Sequence, residues 1–315
     1  MASGAQAQIV YGEESAWRTR ATPNRAVPLL SESLEDSRER LESEGIVAGD
    51  RVLRSQQWNG GPIDIGGDIQ HELYQSGIDL LLKHMFGTVT TTGSGPYTHV
   101  YKPGPLDGKG LTIQVGRPGV GGVVHPFDFL GCKIAEWEIG LVVDQIATLG
   151  LTVFAGDVLT DQTLVTPSYP SAGLAPFKFT HGLIEIDGDE VELDEATIKG
   201  NNALKTDRRK ISRTDGGKAK EALEEGLREY TGTLKSDYLD NTQYDRFVAG
   251  EEVPISIGLL ANSMSLTIDG NVRFDGAPGM VGGRELLTQD IPIKFIKPAS
   301  GEAITVTTVN STATF

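Results

Sequence analysis

Hydrophobic and polar positions alternate with a two-residue period at several points along the chain, which predicts a protein built mainly of strands. Over residues 148–155, Leu149, Leu151, Val153 and Ala155 share one face and Thr148, Thr152 and Phe154 the other, the pattern of a strand with one buried side. The stretch before it joins through Val143, Asp144 and Gln145, so residues 129–157 read as a hairpin. Its first half changes parity: Leu130, Cys132 and Ile134 fall on one side, Trp137, Ile139 and Leu141 on the other. Such a switch requires either a bulge near Ala135 or a strand covered on both faces. Further strands are predicted at 97–101, at 253–260 with Val253, Ile255, Ile257 and Leu259 on one face, at 264–268, 291–296 and 303–309, and as a pair around Gly188.

One segment has helical spacing. In 71–87, Leu73, Tyr74, Ile78, Leu81, Leu82 and Met85 recur at three- and four-residue steps, Lys83 and His84 lie near the end, and Gly87 stops it. Residues 31–45 carry charges at helical spacing but have only Leu34 and Leu41 to bury, which predicts a short surface helix. A strand is expected over 51–57, and the paired glycines of 58–69 mark turns. Residues 159–177 read as a proline-punctuated loop and 240–249 as a helical turn. Residues 1–28, broken by Gly12, Pro23 and Pro28, form an N-terminal arm in which Tyr11 and Trp17 offer aromatic contacts, leaving 29–315 as a single β-rich domain.

Within that domain 203–232 stand apart. Lys205, Arg208, Arg209, Lys210 and Arg213 precede an Asp-Gly-Gly turn, and Glu221, Glu224, Glu225 and Glu229 follow it. Folded as a hairpin at Gly216, Arg208 and Arg209 come opposite Glu225 and Glu224, pairs worth a few tenths to about 1 kcal/mol. The competing form makes 218–229 a helix on the spacing of Ala219, Ala222 and Leu223. Either way the segment has almost nothing to bury; it reads as a projecting contact arm, or more plainly as a solvated hairpin.

Composition narrows the function. With 315 residues and 39 glycines the chain suits a β-rich globular architecture. Its 28 basic and 43 acidic side chains leave a net charge of −15, which opposes a grip on nucleic-acid phosphates, though not a surface that DNA slides past. Cys132, the sole cysteine, allows no intrachain disulfide and reads as a small buried hydrophobe. His71, His84, His99, His125 and His181 form no metal-ligand pair and read as surface or strand positions. The acidic run 185–195 lacks calcium-loop spacing and reads as a solvated edge. The glycine-rich 116–122 has no Lys-Ser or Lys-Thr after it and reads as plain loop. No catalytic, cofactor or metal site, and no enzymatic activity, is expected. Neither a standard secretion signal nor a membrane-spanning run is present, so no membrane insertion is expected.

The order of several segments resembles the tail tube, or major tail, proteins of long-tailed bacteriophages. They are GEESAWRTRATP at 12–23, LLLKHMFG at 80–87, YTHVYKP at 97–103, FLGCKIAEWEIGL at 129–141, Gly200-Asn201-Asn202-Ala203-Leu204, and REYTGTLKSDY at 228–238. The resemblance implies a mainly β, β-sandwich or barrel-like tail-tube fold with one flanking α-helix and a long projecting hairpin or loop. It also implies a structural virion protein, made in the host bacterial cytoplasm, that self-assembles as stacked hexameric rings. Its implied partners are the tape measure protein in the lumen, the tail terminator and the distal tail or baseplate proteins; genome DNA passes through without specific binding. By resemblance, Tyr11 and Trp17 of the arm and Lys205, Arg208, Arg209, Lys210, Glu224, Glu225 and Glu229 of the long segment are candidates for inter-subunit contact. The inner wall would come from the central hairpin and a second strand pair containing 234–238 or 253–260. In a ring, the parity switch can mean that the central hairpin buries Trp137 and Ile139 against a neighbour, which makes these two further contact candidates. The alternative is a β-sandwich adhesin or carbohydrate-binding module, which would need aromatics clustered on one concave face; Trp17 in an arm, Trp58 in a turn and Trp137 in a strand fit that poorly.

Overall fold

The computed structural model describes residues 4–172, 174–276 and 287–314; the first three residues of the expected arm lie outside them. The N-terminal segment is not a free arm. Residues 8–13 form β1 (Gln8–Glu13), paired along its whole length with residues 111–116, with the short β2 (Arg25–Ala26) on its other side. Ile9, Val10 and Tyr11 are buried there. Burying a large apolar side chain contributes about 1.5–3 kcal/mol, so three in a row hold this segment to the core.

Strands also replace the surface helix expected over 31–45: β3 (Ser31–Glu32) and β4 (Glu35–Glu42). Residues 51–57, expected as a strand, are loop with a 3-10 turn at Ser55–Gln57. The glycines expected to turn the chain instead lie within β5 (Trp58–Glu72), which starts at Trp58 and runs for 15 residues. A β-carbon on Gly66 would stand 2.4 Å from the Val153 carbonyl oxygen, and one on Gly67 (φ +151°) 2.4 Å from that of Ser33. These glycines admit neighbouring backbone rather than a turn. Because β5 continues to Glu72, α1 (Asp79–Phe86) starts later than the spacing predicts, and Gly87 ends it as predicted.

After α1 come β6 (Gly87–Thr92), β7 (Tyr97–Pro103), β8 (Leu111–Pro118), β9 (Val124–Val142), β10 (Thr148–Ala155) and β11 (Asp157–Leu159). They are followed by β12 (Gly182–Ile186), β13 (Asp189–Glu190), β14 (Glu195–Asn201), β15 (Leu204–Lys205), β16 (Leu223–Glu224) and β17 (Glu229–Asp237). A second helix, α2 (Thr242–Ala249), forms within the segment expected as a helical turn; β18 (Glu252–Ala261), β19 (Met264–Phe274), β20 (Thr288–Phe295) and β21 (Ile304–Asn310) complete the described chain. In β18 the predicted face of Val253, Ile255, Ile257 and Leu259 is the buried one.

Apart from the separate pair β15-β16, the ladders join into one antiparallel system with three regions. The first runs β2-β1-β8-β9-β11, the second β4-β5-β10-β9-β14-β17-β20, and the third β6-β7-β21-β19-β18-β12-β13. β9 belongs to two regions: residues 124–132 pair with β8, and 133–142 pair with β10 and β14. It changes partners through two irregularities. Glu136 faces Thr152 but Ile134 faces Val153, so Ala135 is the extra residue of a bulge, and a second register shift falls beside Gly131 (φ +62°).

The bulge at Ala135 accounts for the parity switch without a neighbouring subunit. Trp137 and Ile139 are 2% and 1% exposed within this protomer, and Trp137 packs on Phe86 and Tyr230 with ring centroids 5.2 and 6.0 Å away. Their side chains therefore have no surface to offer, which corrects the expectation that they meet another subunit. His71 in β5 and His99 in β7 are strand positions, as read, but buried ones, and His84 is buried in α1 rather than at the surface. The Pro28 carbonyl lies 2.7 Å from His71 Nδ1 and can only accept, so Nδ1 carries the proton and Nε2 accepts from the Tyr11 hydroxyl at 2.7 Å. This buried pair ties β1 to β5.

Two outcomes follow for stability. Trp137→Ala should lower the free energy of unfolding by about 3–5 kcal/mol in denaturant titration through loss of a packed core ring. Burial pushes the His71 pKa down from 6.5 to about 4. As pH falls through this window the unfolded chain binds a proton that the native imidazole refuses, so up to about 3 kcal/mol of stability is lost. Unfolding curves between pH 7 and 4.5 should show this loss, and His71→Gln, though less stable at pH 7, should show a shallower slope.

Candidate assembly surfaces

Three surfaces of the protomer stand out. The first is the face of the β5-β10-β9-β14-β17-β20 sheet turned away from the core. Strand registers align its side chains in cross-strand rows: Asp68, Thr152, Glu136, Asn201 and Glu229 in one, and Gln70, Gly150, Glu138, Lys199, Thr231 and Lys294 in the next. Further rows add Glu72, Thr197, Thr233, Glu195, Lys235, Asp290 and Asp237. Eight carboxylates and three lysines thus share one polar face with threonine and glycine. Lys199 pairs with Glu138 at 2.7 Å and Lys294 with Glu229, so two of the three cations are already neutralised. The bond to Glu229 raises the pKa of Lys294, which stays charged at neutral pH.

The second surface is the hairpin of β4 and β5. Below Ile65, β5 leaves β10 and pairs with β4 through the register Arg38–Ile63 to Glu42–Trp58, touched on its other side at Ile63, whose N–H donates to the Gly217 carbonyl at 3.0 Å, and at Asp64, which receives Arg209. The tip, residues 43–57, exposes Ile46 and Val52 to 97% and 81%, and Leu41, Leu53 and Trp58 are also exposed. Arg40 lies 5.1 Å from the centre of the Trp58 ring. Sequence reasoning missed this hairpin because a two-stranded ribbon with no buried face shows no two-residue hydrophobic period.

The third surface is 203–228, expected to project. It is a hairpin, as one reading held, and the 218–229 helix is not formed; the ladder pairs Leu204 with Glu224 and Lys205 with Leu223. It folds back as a strap over the polar face at its Phe154 end, where Ala219 and Ala222 bury against Phe154 with Trp17 and Leu204 beside them. Part of its charge looks inward, while Asp207, Lys210, Arg213, Glu224 and Glu225 stay exposed. The Nζ of Lys133, itself buried, donates to the Leu106 carbonyl at 2.9 Å, the Glu221 carboxylate at 2.7 Å and the Ala222 carbonyl at 2.8 Å. Asp157 receives Lys218 at 2.5 Å and Arg18 at 2.9 Å; burial raises its pKa, but these bonds hold the carboxyl below its ordinary value.

The predicted contact residues therefore fall into different places. Tyr11, Trp137 and Ile139 are core. Trp17 stays on its own protomer, donating to the Gly131 carbonyl at 3.0 Å. Lys205 binds Glu225 at 2.8 Å rather than leaving it to Arg208, which donates to the Glu221 carbonyl at 3.1 Å. Arg209 reaches Asp64 and the Ile63 carbonyl, Glu224 takes Arg228 at 2.6 Å, and Glu229 belongs to the polar face. Lys210 is exposed at the strap's outer side.

Among the described residues no group of acidic, histidine or cysteine side chains could hold a metal ion, and no helix is long and apolar enough to cross a membrane. A family model described as phage tail tube protein matches residues 4–295. No curated protein matches the chain.

The Lys133 contacts make the strap's attachment testable. Lys133→Ala removes a buried cation from three acceptors and should cost about 3–5 kcal/mol. Hydrogen exchange should quicken over 218–225 while β18 and β19 stay protected.

Proposed function

We propose, from the premise that this chain belongs to the phage tail tube protein family, that it assembles side by side into hexameric rings and that these rings stack into the tube. The protein is a structural component of the virion. The polar face of the six-stranded sheet lines the bore, which holds the tape measure protein and later passes the genome DNA. The observation that carries this assignment is the face's composition: eight carboxylates against three lysines, two of them paired, and no aromatic side chain in the rows. A wall of this kind repels phosphates at close range and gives bases nothing to stack on. A lumen needs passage without adhesion.

Lateral joining is supported by the margins of the same sheet: among the described residues, β4 and residues 288–291 each have one strand neighbour. An open edge pairs with another chain unless something blunts it. The β4–β5 hairpin, not the strap, supplies the reach between rings. The tube's two ends meet the tail terminator and the distal tail or baseplate proteins, and synthesis takes place in the host bacterial cytoplasm.

Replacing 43–57 by a two-residue Asn-Gly turn should leave a protomer with unchanged circular dichroism that no longer forms tubes in electron micrographs. Normal tubes from this variant would remove the hairpin from the assembly.

A further inference from the structure

Opposite the hairpin tip, the protomer carries a second apolar patch. The turn between β9 and β10 exposes Val143 and Ile146, and Phe179, Leu183 and Leu260 stand beside it, each 39–64% exposed. The Phe179 N–H donates to the Gln145 carbonyl at 3.2 Å and Ile146 bridges Lys178, which seats Phe179 on the turn, while Leu183 and Leu260 lie together on the outward face of the β12–β18 ladder that follows Phe179 in the chain. Val143 and Phe179 also share the lining of a small cavity of about 80 Å³. Grouped apolar exposure of this kind marks a binding surface rather than a scatter of single residues.

Its place in the fold says what it binds. β5 starts at the hairpin tip and ends at Glu72, which pairs with Thr148 next to the β9–β10 turn. Fifteen extended residues span about 50 Å, so tip and patch lie at opposite ends of one strand. Charge agrees with the pairing. Exposed Asp144 lies in the turn itself and exposed Asp194, whose carbonyl accepts the Val143 N–H at 3.0 Å, lies beside it; Asp189, Glu190 and Glu192 follow along the same acidic run, while Asp187 is held by Arg246 at 3.2 Å. Residues 38–58, in a chain of net charge −15, hold four arginines that balance their four acids.

We infer that the apolar patch around Val143 and Phe179 receives the β4–β5 hairpin tip of a second copy of this chain. The contact is heterologous, head to tail, so it repeats without closing. This inference rests on the tube reading and adds the surface on which each ring seats the next. Each contact is small, and its repetition around a ring makes the joint strong.

Thiol cross-linking tests it, because Cys132 is fully buried and stays silent. Val52→Cys and Phe179→Cys, combined in one chain, assembled and treated with a short bismaleimide, should give a ladder of covalent multimers well beyond the dimer. Mixed single variants should give the mixed dimer alone. Tubes that form without any 52–179 product overturn the seat and leave the tube standing, whereas a wild-type chain that never polymerises overturns both. Dimers from Val52→Cys alone would mean tip-to-tip docking and also overturn it. As an independent measure, Phe179→Asp should raise the protein concentration needed for polymerisation at least tenfold with monomer melting unchanged; an unchanged concentration counts against the seat.

Discussion

A strand that changes sheets leaves backbone groups without their ladder partners, and buried groups of that kind cost about 1–3 kcal/mol each unless something else bonds them. In β9 the break occurs twice within a few residues, and distant parts of the chain answer it. At Gly131 the N–H is accepted by the Glu14 carboxylate at 2.8 Å and the carbonyl receives Trp17. At Ala135 the carbonyl accepts the Asn202 N–H at 2.8 Å, while the Asn202 amide group donates to the carbonyls of Ile134 and Met85. Between the bulges Lys133 anchors the strap. The N-terminal segment, the helix end, the entry to the strap and the two sheet regions are all fastened at this one crossing.

The same constraint explains how much of the fold was legible. Strands with one wet face, such as β18 and β10, announced themselves by alternation. So did the trouble in β9, whose parity switch left two alternatives open, a bulge near Ala135 or cover from a neighbour that would make Trp137 and Ile139 contact residues. The other option, cover from another subunit, failed because Phe86 and Tyr230 already fill that side of Trp137. Strands without alternation were lost. β4 has no buried face, so its charges looked helical, and the glycines of β5 looked like turns because sequence does not display the backbone packed against them.

The candidate surfaces were less legible than the fold. The charge blocks of 203–228 were visible, but not their direction: a buried lysine on another strand draws Glu221 inward and a carboxylate beside Arg18 draws Lys218 inward. An exposed apolar ribbon tip carries no period at all, and the acidic face is assembled from six strands, five of which supply carboxylates far apart in sequence. Its unity exists only after registers are set. The spread of acidic residues along the chain thus becomes one surface by pairing, not by clustering.

The course of β5 has a mechanical consequence. A pull between the hairpin tip and the β9–β10 turn acts along this single strand, with its hydrogen bonds to β4 and β10 lying across the direction of force. Bonds loaded this way are sheared together rather than peeled one after another, so they share the tension. Axial strain would therefore be borne by a continuous backbone and many bonds in parallel, whereas a sideways pull on β4 at its open edge meets them singly. The subunit is stiff lengthwise and compliant across.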